Sequence, residues 1–193
     1  KVSASHLSYE DVLRSAEKSL KRLNIGYIDL YQIHSPKTPI PVDETMRAME
    51  RLIDEGKIGA IGVSNFSVDQ TMEAQEALSK CELMSNQVKY SLLDREIEFD
   101  ILPYCQREKI TVIAYTPIAT GEVLTRRISG RLREIGNKYG KTPIQVALNW
   151  LLMKDGVIAI PKALKLEHLE ENVGAVGWKL SNEDIRFLES GVC

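Results

Sequence analysis

The chain has 193 residues, with 25 Lys and Arg against 27 Asp and Glu and a formal net charge of −2. A near-neutral charge argues against a nucleic-acid-binding protein, because such a protein needs a basic face. The sequence has no apolar stretch near the roughly 18 residues of a membrane helix, and residues 1–6 lack the apolar segment of a signal peptide. We therefore expect a cytoplasmic protein with no nucleic-acid partner and no membrane partner.

Two kinds of segment alternate along the chain. The first kind is short, apolar and rich in β-branched or aromatic residues, as in strands; its members are 27–34, 58–65, 83–90, 111–118 and 157–162. The second kind is longer and has apolar residues at helical spacing; its members are 8–23, 42–55, 67–80, 99–109, 128–139, 143–153, 167–176 and 181–190. The order predicts a leading helix followed by five strand–helix pairs.

Local signals mark several of the predicted helix ends. Ser8 and Ser181, each with an aspartate three residues later, have the spacing of a capping box. Thr142 followed by Pro143 is typical of an N-cap and a first helical position. Gly140 stands where a helix C-cap is expected.

Apolar strands separated by helices imply a parallel sheet with right-handed crossovers. Each predicted strand ends in polar residues, and these are His34, Ser64 with Asn65, Gln87 with Tyr90, Tyr115 with Thr116, and Lys162. In a (β/α)8 barrel the carboxyl ends of all strands form the active-site face. An open sheet concentrates ligand contacts at one switch point and often carries an early GxGxxG turn, which this sequence lacks. The pattern therefore predicts an α/β fold of the (β/α)8 TIM-barrel class in a single domain, 1–193.

The number of predicted strands is too small for a complete barrel. A barrel of about 250 residues has eight strand–helix units, whereas this sequence has five candidate strands. The first helix resembles the crossover after a third strand, and the chain does not begin with Met. We therefore expect the C-terminal portion of a barrel domain, with about strands 4–8 and helices 3–8 present and strands 1–3 upstream.

Cysteine and histidine are scattered, and none of them forms a CxxC, HxH or HxxxH pair: they are Cys81, Cys105, Cys193, His6, His34 and His168. Disulfide frameworks and metal sites usually cluster their residues. The pattern therefore indicates no metal site and a reducing compartment.

The sequence resembles the aldo-keto reductase family over 1–190. The longest motif is GKIGAIGVSNF at 56–66; the others are YIDLYQIHSP at 27–36, NQV at 86–88, AYTP at 114–117, and IPK at 160–162 with EN at 171–172. Because five motifs occur in the family's order on the predicted elements, the resemblance is specific. It implies a (β/α)8 enzyme without metal that reduces small-molecule aldehydes or ketones with a nicotinamide cofactor, as a monomer or weak homo-oligomer.

The resemblance implies two catalytic residues. His34, after the first visible strand, matches the residue that orients the substrate carbonyl by a hydrogen bond. Lys1, followed by Val2, matches the lysine that lowers the pKa of the family's tyrosine general acid, since a cation favours the phenolate. That tyrosine and the aspartate that holds the lysine are expected upstream of residue 1.

The resemblance also implies a cofactor site. Ser64, Asn65 and Gln87 match the residues that hold the nicotinamide carboxamide, which needs donors and acceptors, and Tyr115 matches the aromatic residue that stacks on the ring. The residues that match the loop over the pyrophosphate are Thr116, Pro117, Ile118, Thr120 and Glu122. The residues that match the adenosine end are Lys162 and Lys165 beside the 2′-phosphate, His168, and Glu171 and Asn172 against adenine.

Two departures from the family pattern bear on cofactor choice. Ala163 stands where the family often has serine, and His168 stands where many NADPH-specific members have arginine. Arginine is always charged and binds phosphate through two hydrogen bonds, whereas histidine is only partly protonated near neutral pH. Lys162 and Lys165 keep the site positive, so we expect NADP, with NAD possible.

Other interpretations stay open at this point. The chain could be a non-catalytic nicotinamide-cofactor-binding or regulatory subunit of the same fold, or a lyase or isomerase on the same barrel, although the latter leaves the nicotinamide motifs without a role. Each residue could also have an ordinary role. His34 and Lys1 could be surface groups, and Lys162 and Lys165 could be solvated charges. Tyr90 and Gln87 could be polar strand residues whose hydrogen bonds are made within the protein.

Overall fold

The computed structural model describes residues 1–125 and 127–191. The expectation for Cys193 therefore lies outside the described residues. Contacts divide the chain into two compact units. The first unit comprises Lys1–Val88 and Arg107–Thr111, and the second comprises Lys89–Gln106 and Val112–Cys193.

The first unit alternates helices and parallel strands. After a 3-10 turn at Ala4–His6, its elements are α1 (Tyr9–Leu23), β1 (Ile28–Gln32), α2 (Val42–Asp54), β2 (Ile58–Ser64), α3 (Val68–Glu76) and β3 (Leu83–Lys89), whose last residue belongs to the second unit. Strands β1 and β2 pair in parallel, and so do β2 and β3. The register aligns Ser64 with Gln87, so the carboxyl ends of these strands lie side by side.

The second unit carries the remaining elements. They are a 3-10 turn at Glu96–Phe99, α4 (Ile101–Arg107), β4 (Thr111–Tyr115), a 3-10 segment at Ala119–Leu124, α5 (Ile128–Tyr139), α6 (Pro143–Leu152), β5 (Val157–Ala159), α7 (Leu166–Val173) and α8 (Asn182–Glu189); Arg107 and Thr111 belong to the first unit. Strands β4 and β5 are parallel, with Val112 opposite Val157. Among the described residues, no helix is both long enough and apolar enough to cross a membrane.

The predicted helix ends are confirmed where local capping chemistry decides them. The Ser8 and Ser181 hydroxyls each accept a hydrogen bond from the backbone N–H three residues later. Thr142 and Gln145 form a complete capping box before α6, and Gly140 ends α5 in the left-handed conformation at φ 63°. These contacts use N–H groups of the first turn that have no partner inside the helix.

Helix α3 ends at Glu76, short of the predicted residue 80. The buried carboxylate of Glu50 in α2 accepts hydrogen bonds from the backbone N–H groups of Ser79 and Lys80, both at 2.7 Å. Burial acts to raise the pKa of Glu50, but these donors prevail and the pKa is lowered. The chain after α3 is therefore fixed by a carboxylate from another helix, which no local sequence signal reveals.

Other predicted boundaries were also wrong: the strand predicted to reach residue 118 ends at Tyr115, and the helix predicted to reach residue 176 ends at Val173. The strand predicted to reach residue 162 ends at Ala159. One further ladder bond joins Ile160 N to Ala114 O at 3.1 Å, and Pro161 then has no N–H to continue the pairing. The helix predicted over 99–109 begins only at Ile101 because Phe99 ends a separate 3-10 turn.

The core of each unit is apolar, as the helical spacing predicted. In the first unit, Val12 and Ala16 of α1 and Met46 and Met49 of α2 are fully buried, and α1 packs against α2. In the second unit, the largest fully buried side chain is Trp150 of α6. The two methionines of α2 therefore belong to the core.

A buried carboxylate joins two helices of the second unit. Asp184, in the first turn of α8, accepts hydrogen bonds from Lys138 Nζ at 2.9 Å, Tyr139 Oη at 2.6 Å and Ser181 Oγ at 2.6 Å. Burial acts to raise the pKa of Asp184, but these three donors outweigh it and hold the pKa at about 2. The carboxylate therefore stabilises the folded state in its charged form.

We expect Asp184→Asn to lower the free energy of unfolding at pH 7 by about 2 kcal/mol. Because the folded pKa is lowered, the contribution of Asp184 is complete above the ordinary value of 3.8 and is lost as the pH falls toward about 2. Urea unfolding between pH 7 and pH 3 should show the difference between Asp184→Asn and wild type shrinking. Glu183→Gln, at an exposed neighbouring carboxylate, is the control; an Asp184→Asn difference that stays constant with pH would contradict this account.

Candidate functional site

The carboxyl ends of β1, β2 and β3 are joined by polar contacts. The buried Ser64 hydroxyl donates a hydrogen bond to Gln87 O at 2.8 Å, and Asn65 N donates to the same carbonyl at 2.9 Å. The Asn65 side chain donates from Nδ2 to His34 O at 3.2 Å. Four of the residues singled out in the sequence therefore come together at one edge of the first unit.

Lys1 reaches the same edge. Val2 forms a parallel bridge with Ile33; Val2 N donates to Gln32 O at 2.8 Å, and His34 N donates to Val2 O at 2.9 Å. The chain at Lys1 and Val2 therefore runs beside the end of β1 as a strand does. Lys1 Nζ donates a hydrogen bond to Gln87 Oε1 at 2.7 Å, which brings a cation to the strand ends.

A second polar layer lies one step below these residues. Gln32 Nε2 donates to Ser85 Oγ at 3.2 Å, and both side chains are buried. Gly62 lies between them, and a Cβ atom on Gly62 would lie 2.3 Å from Ser85 Oγ. Only glycine leaves room for this hydrogen bond, which supports the strand ends from beneath.

Two strands end in a left-handed residue that is not glycine. Asn65 follows β2 with φ 62°, and Thr116 follows β4 with φ 54°. Asparagine tolerates this conformation because its short side chain bonds locally, whereas a β-branched threonine is strained there. Ala119 and Thr120 also have positive φ, and Gly121 follows at φ 92°. Such strain persists only where the surroundings enforce it, and it often accompanies a binding loop.

The second unit has a cavity of about 200 Å³ that gathers five predicted residues. Its walls are Ile118, Gly121, Leu124, Ile144, Lys162, His168, Glu171 and Asn172. They come from the loop after β4, the start of α6, the chain after β5, and α7. The cavity combines an apolar wall with a lysine, a histidine, a carboxylate and an amide, so it can hold a flat apolar group with a polar rim and an anion.

Helix α7 is attached to α6 by a side chain of the α6 capping box. Gln145 Nε2 donates to Glu171 O at 3.1 Å, and a Cβ atom on Gly174 would lie 2.2 Å from that Nε2. Gly174 therefore lets α7 approach the start of α6. This contact fixes Glu171 and Asn172 at the cavity.

The other predicted residues of the second unit lie outside the cavity walls. Tyr115 and Thr116 end β4, and Pro117, Thr120 and Glu122 follow in the loop. Lys165 is the N-cap residue of α7 and forms an exposed ion pair with Glu167 at 3.3 Å. An exposed pair of this kind contributes little to stability. Lys165 is therefore only weakly held at the start of α7, the helix that supplies residues of the cavity.

Two cavity residues were missed by the sequence analysis: Leu124 and Ile144. Gly121 lies within the stretch 116–122 that the resemblance assigns to the loop over the pyrophosphate. Leu124 and Ile144 are ordinary apolar residues whose position at the cavity depends on the fold alone.

Comparison with known proteins decides the family. The profile of the Aldo/keto reductase family matches residues 1–191. The chain belongs to this family. It is 35% identical over 182 residues to a methylglyoxal reductase of Escherichia coli, covering 93% of this chain and 64% of the relative. It is 37% identical over 184 residues to a glyoxal reductase of Bacillus subtilis, covering 94% and 63%.

Solved structures agree with the family. A thermostable aldo-keto reductase in complex with the inhibitor epalrestat superposes with a TM-score of 0.93 at 43% identity, over 98% of this chain and 69% of that chain. An aldo-keto reductase from Klebsiella pneumoniae in complex with NADPH gives a TM-score of 0.91 at 36% identity, over 98% and 67%. These likenesses confirm the predicted fold class, an α/β fold of the (β/α)8 barrel type, and five strands are compatible with the expected share of that barrel.

The chain spans less than two thirds of the length of these curated relatives, 64% and 63%. The domain expectation, with strands 1–3 upstream, is not tested by the match.

We expect Asn65→Ala to lower the free energy of unfolding by about 1 kcal/mol more than Asn65→Gly, because a Cβ atom is strained at positive φ. Both variants lose the bond from Nδ2, so their difference isolates the backbone term. Urea unfolding measures it.

Asn24, at φ 54° after α1, is the matched control, and its alanine and glycine variants should differ by a similar amount. Equal stability of the two Asn65 variants would show that the turn after β2 relaxes and does not hold residue 65 in a fixed conformation.

Proposed function

We propose that the protein reduces aldehydes or ketones to alcohols with NADPH, with NADH as a weaker alternative. The observation that carries the proposal is the group at the strand ends of the first unit, where Lys1, His34, Ser64, Asn65 and Gln87 meet. Membership of a reductase family supports it. Further support comes from relatives named as methylglyoxal and glyoxal reductases and from a similar structure that contains NADPH.

The polar groups of the first unit suit the nicotinamide end of the cofactor. A carboxamide has one acceptor oxygen and two donor hydrogens. Asn65 and Gln87 carry the complementary amides, and Lys1 already occupies the acceptor oxygen of Gln87. The Gln87 amide nitrogen is then the group that serves a ligand oxygen, while Ser64 holds the Gln87 backbone in place. In the second unit, Tyr115 at the end of β4 is proposed to stack on the ring.

The cavity of the second unit suits the adenosine end. Ile118, Leu124 and Ile144 offer an apolar wall for a purine. Glu171 and Asn172 can accept and donate at its polar edge, and Lys162 and His168 can bind a phosphate. Thr116, Pro117, Thr120 and Glu122 are proposed to line the pyrophosphate, and Lys165 to add positive charge nearby.

The residues of this chain are proposed to orient the substrate, and the bound cofactor would supply the hydride. His34 is proposed to donate a hydrogen bond to the substrate carbonyl oxygen, which makes the carbonyl carbon more electrophilic. As negative charge develops on that oxygen, a proton must reach it. The family resemblance assigns this proton to a tyrosine upstream of Lys1, and Lys1 would stabilise its phenolate.

A non-catalytic cofactor-binding role is the alternative, and a regulatory subunit would have no use for His34 at the substrate position. We further propose a cytoplasmic protein that is a monomer or a weak homo-oligomer, because its motifs indicate a metabolite reductase with a small-molecule substrate.

The direct test is His34→Ala assayed with NADPH and a panel of small aldehydes. We expect kcat/KM to fall by about 100-fold or more, since one oriented hydrogen bond to a developing oxyanion is worth that much, while the dissociation constant for NADPH changes less than about twofold. His6→Ala, at an exposed histidine bonded to Ser5, is the control. An unchanged rate in His34→Ala removes the assignment, and NADPH binding without any reduction by wild type supports the regulatory alternative.

A second test concerns cofactor choice. We expect His168→Arg to raise the preference for NADPH over NADH by about fivefold to tenfold at pH 7.5, because arginine keeps its charge and binds phosphate through two bonds. The measurement is the ratio of the two dissociation constants. His6→Arg makes the same charge change in the first unit, at a residue that does not line the cavity. A ratio that stays constant in His168→Arg would show that residue 168 does not contact the 2′-phosphate.

A further inference from the structure

Tyr90 follows β3, and its backbone is tied to the end of β4 within the second unit. Tyr90 N donates a hydrogen bond to Tyr115 O at 3.3 Å. Thr116 then turns into the left-handed conformation, so Tyr115 is the last residue of the strand. The bond from Tyr90 therefore holds the peptide on which the orientation of the Tyr115 ring depends.

The side chain of Tyr90 is anchored on its other side. It is fully buried, and its hydroxyl donates to Glu98 Oε1 at 2.5 Å. Burial first, and then the hydrogen bond to Glu98, raise the pKa of Tyr90 far above its ordinary value. The phenol therefore stays a protonated donor, and its bond to the carboxylate is charge-assisted.

Glu98 is itself held by cations. Arg95 donates to Glu98 Oε2 from Nε at 3.0 Å and from Nη2 at 2.6 Å. Lys154 Nζ lies 3.6 Å from Glu98 Oε1 and 2.8 Å from Glu189 Oε1. Two cations thus balance two carboxylates, and all four side chains are only partly exposed.

An aromatic ring forms the centre of this cluster. Trp150 donates from Nε1 to Glu189 Oε1 at 3.0 Å, and its ring centroid lies 5.5 Å from that of Tyr90. Arg95 and Lys154 lie over the Trp150 ring at 5.4 Å and 4.6 Å. Such contacts add cation–π attraction to the ion pairs. The cluster therefore fixes Tyr90 against α6 and α8.

The segment between Tyr90 and Glu98 is also closed on itself. Ser91 and Asp94 exchange two backbone hydrogen bonds at 3.1 Å, and Lys89 Nζ pairs with Asp94 at 2.7 Å. Leu92 at the tip is fully buried. Tyr90 therefore stands on a rigid loop, so the bond to Tyr115 O has a fixed donor.

We propose that Tyr90, held by Glu98, is a positioning residue that fixes Tyr115 for contact with the nicotinamide ring. The sequence alone indicates only that Tyr90 is a polar residue of the strand with a hydrogen-bond partner, whereas in the structure its hydroxyl bonds to Glu98 while its backbone bonds to Tyr115. The contact between Tyr115 and the nicotinamide ring rests on the proposed function. The positioning of Tyr115 by Tyr90 does not depend on it.

The second unit offers a matched control. Tyr139 Oη donates to the buried carboxylate of Asp184 at 2.6 Å, which is the same chemistry as Tyr90 with Glu98. Tyr139 lies at the end of α5. Tyr90→Phe and Tyr139→Phe therefore remove the same kind of bond, and only the first concerns the end of β4.

The first arm uses the protein without ligand. Hydrogen exchange of the residue-90 amide, followed by NMR, should become about tenfold faster or more in Tyr90→Phe, because the donor loop loosens. Tyr139→Phe should leave it unchanged. An unchanged rate in Tyr90→Phe, or equal acceleration in both variants, would overturn the positioning role.

The second arm compares NADP⁺ with 2′,5′-ADP, which carries the adenosine end alone. Tyr90→Phe should weaken NADP⁺ binding about fivefold to tenfold and leave 2′,5′-ADP binding within about twofold. Tyr139→Phe should change neither. Equal weakening of both ligands by Tyr90→Phe, or no weakening of NADP⁺, contradicts the role toward the nicotinamide. If wild type binds neither ligand, the proposed function fails, while the amide exchange still decides the positioning.

Discussion

Parallel strands that are covered by helices can present polar side chains to a ligand only where the strands end. Within the strand, each side chain faces a packed layer, and a buried polar group there needs a partner. In the first unit this constraint is met by small polar groups that bond to each other, as Gln32 does with Ser85 over Gly62. At the strand ends, Ser64 and Gln87 are also buried and hydrogen-bonded, whereas Asn65 is exposed.

The site also depends on backbone that local propensity does not favour. Asn65 and Thr116 both leave a strand in the left-handed conformation. Asn65 is retained there by bonds from its side chain to Ser64 and His34. Thr116 is preceded by Tyr115, whose carbonyl accepts from Tyr90. In each case a hydrogen bond made at or beside the strained residue holds the turn.

Local chemistry explains which parts of the fold could be predicted from sequence. Thr142 and Gly140 mark helix ends because their bonds are made within a few residues. The end of α3 could not be predicted, since Glu50, from another helix, satisfies the amides that follow it. Motif matching predicted Lys162, His168, Glu171 and Asn172 at one cavity, although periodicity alone would leave them as surface residues of a loop and a helix. The hydrogen bond from Tyr90 to Glu98 could not be predicted, because the geometry of the loop between the two residues brings them together.

The proposed function requires that residues at the strand ends contact the nicotinamide cofactor. Hydrogen–deuterium exchange with and without NADP⁺ tests this requirement, because exchange reports on each segment separately. The account predicts protection at 63–66, 86–88 and 115–122 and along α7, with little change in α1 and α2. Binding of NADP⁺ without protection at 63–66 and 86–88, or protection confined to α1 and α2, would contradict it.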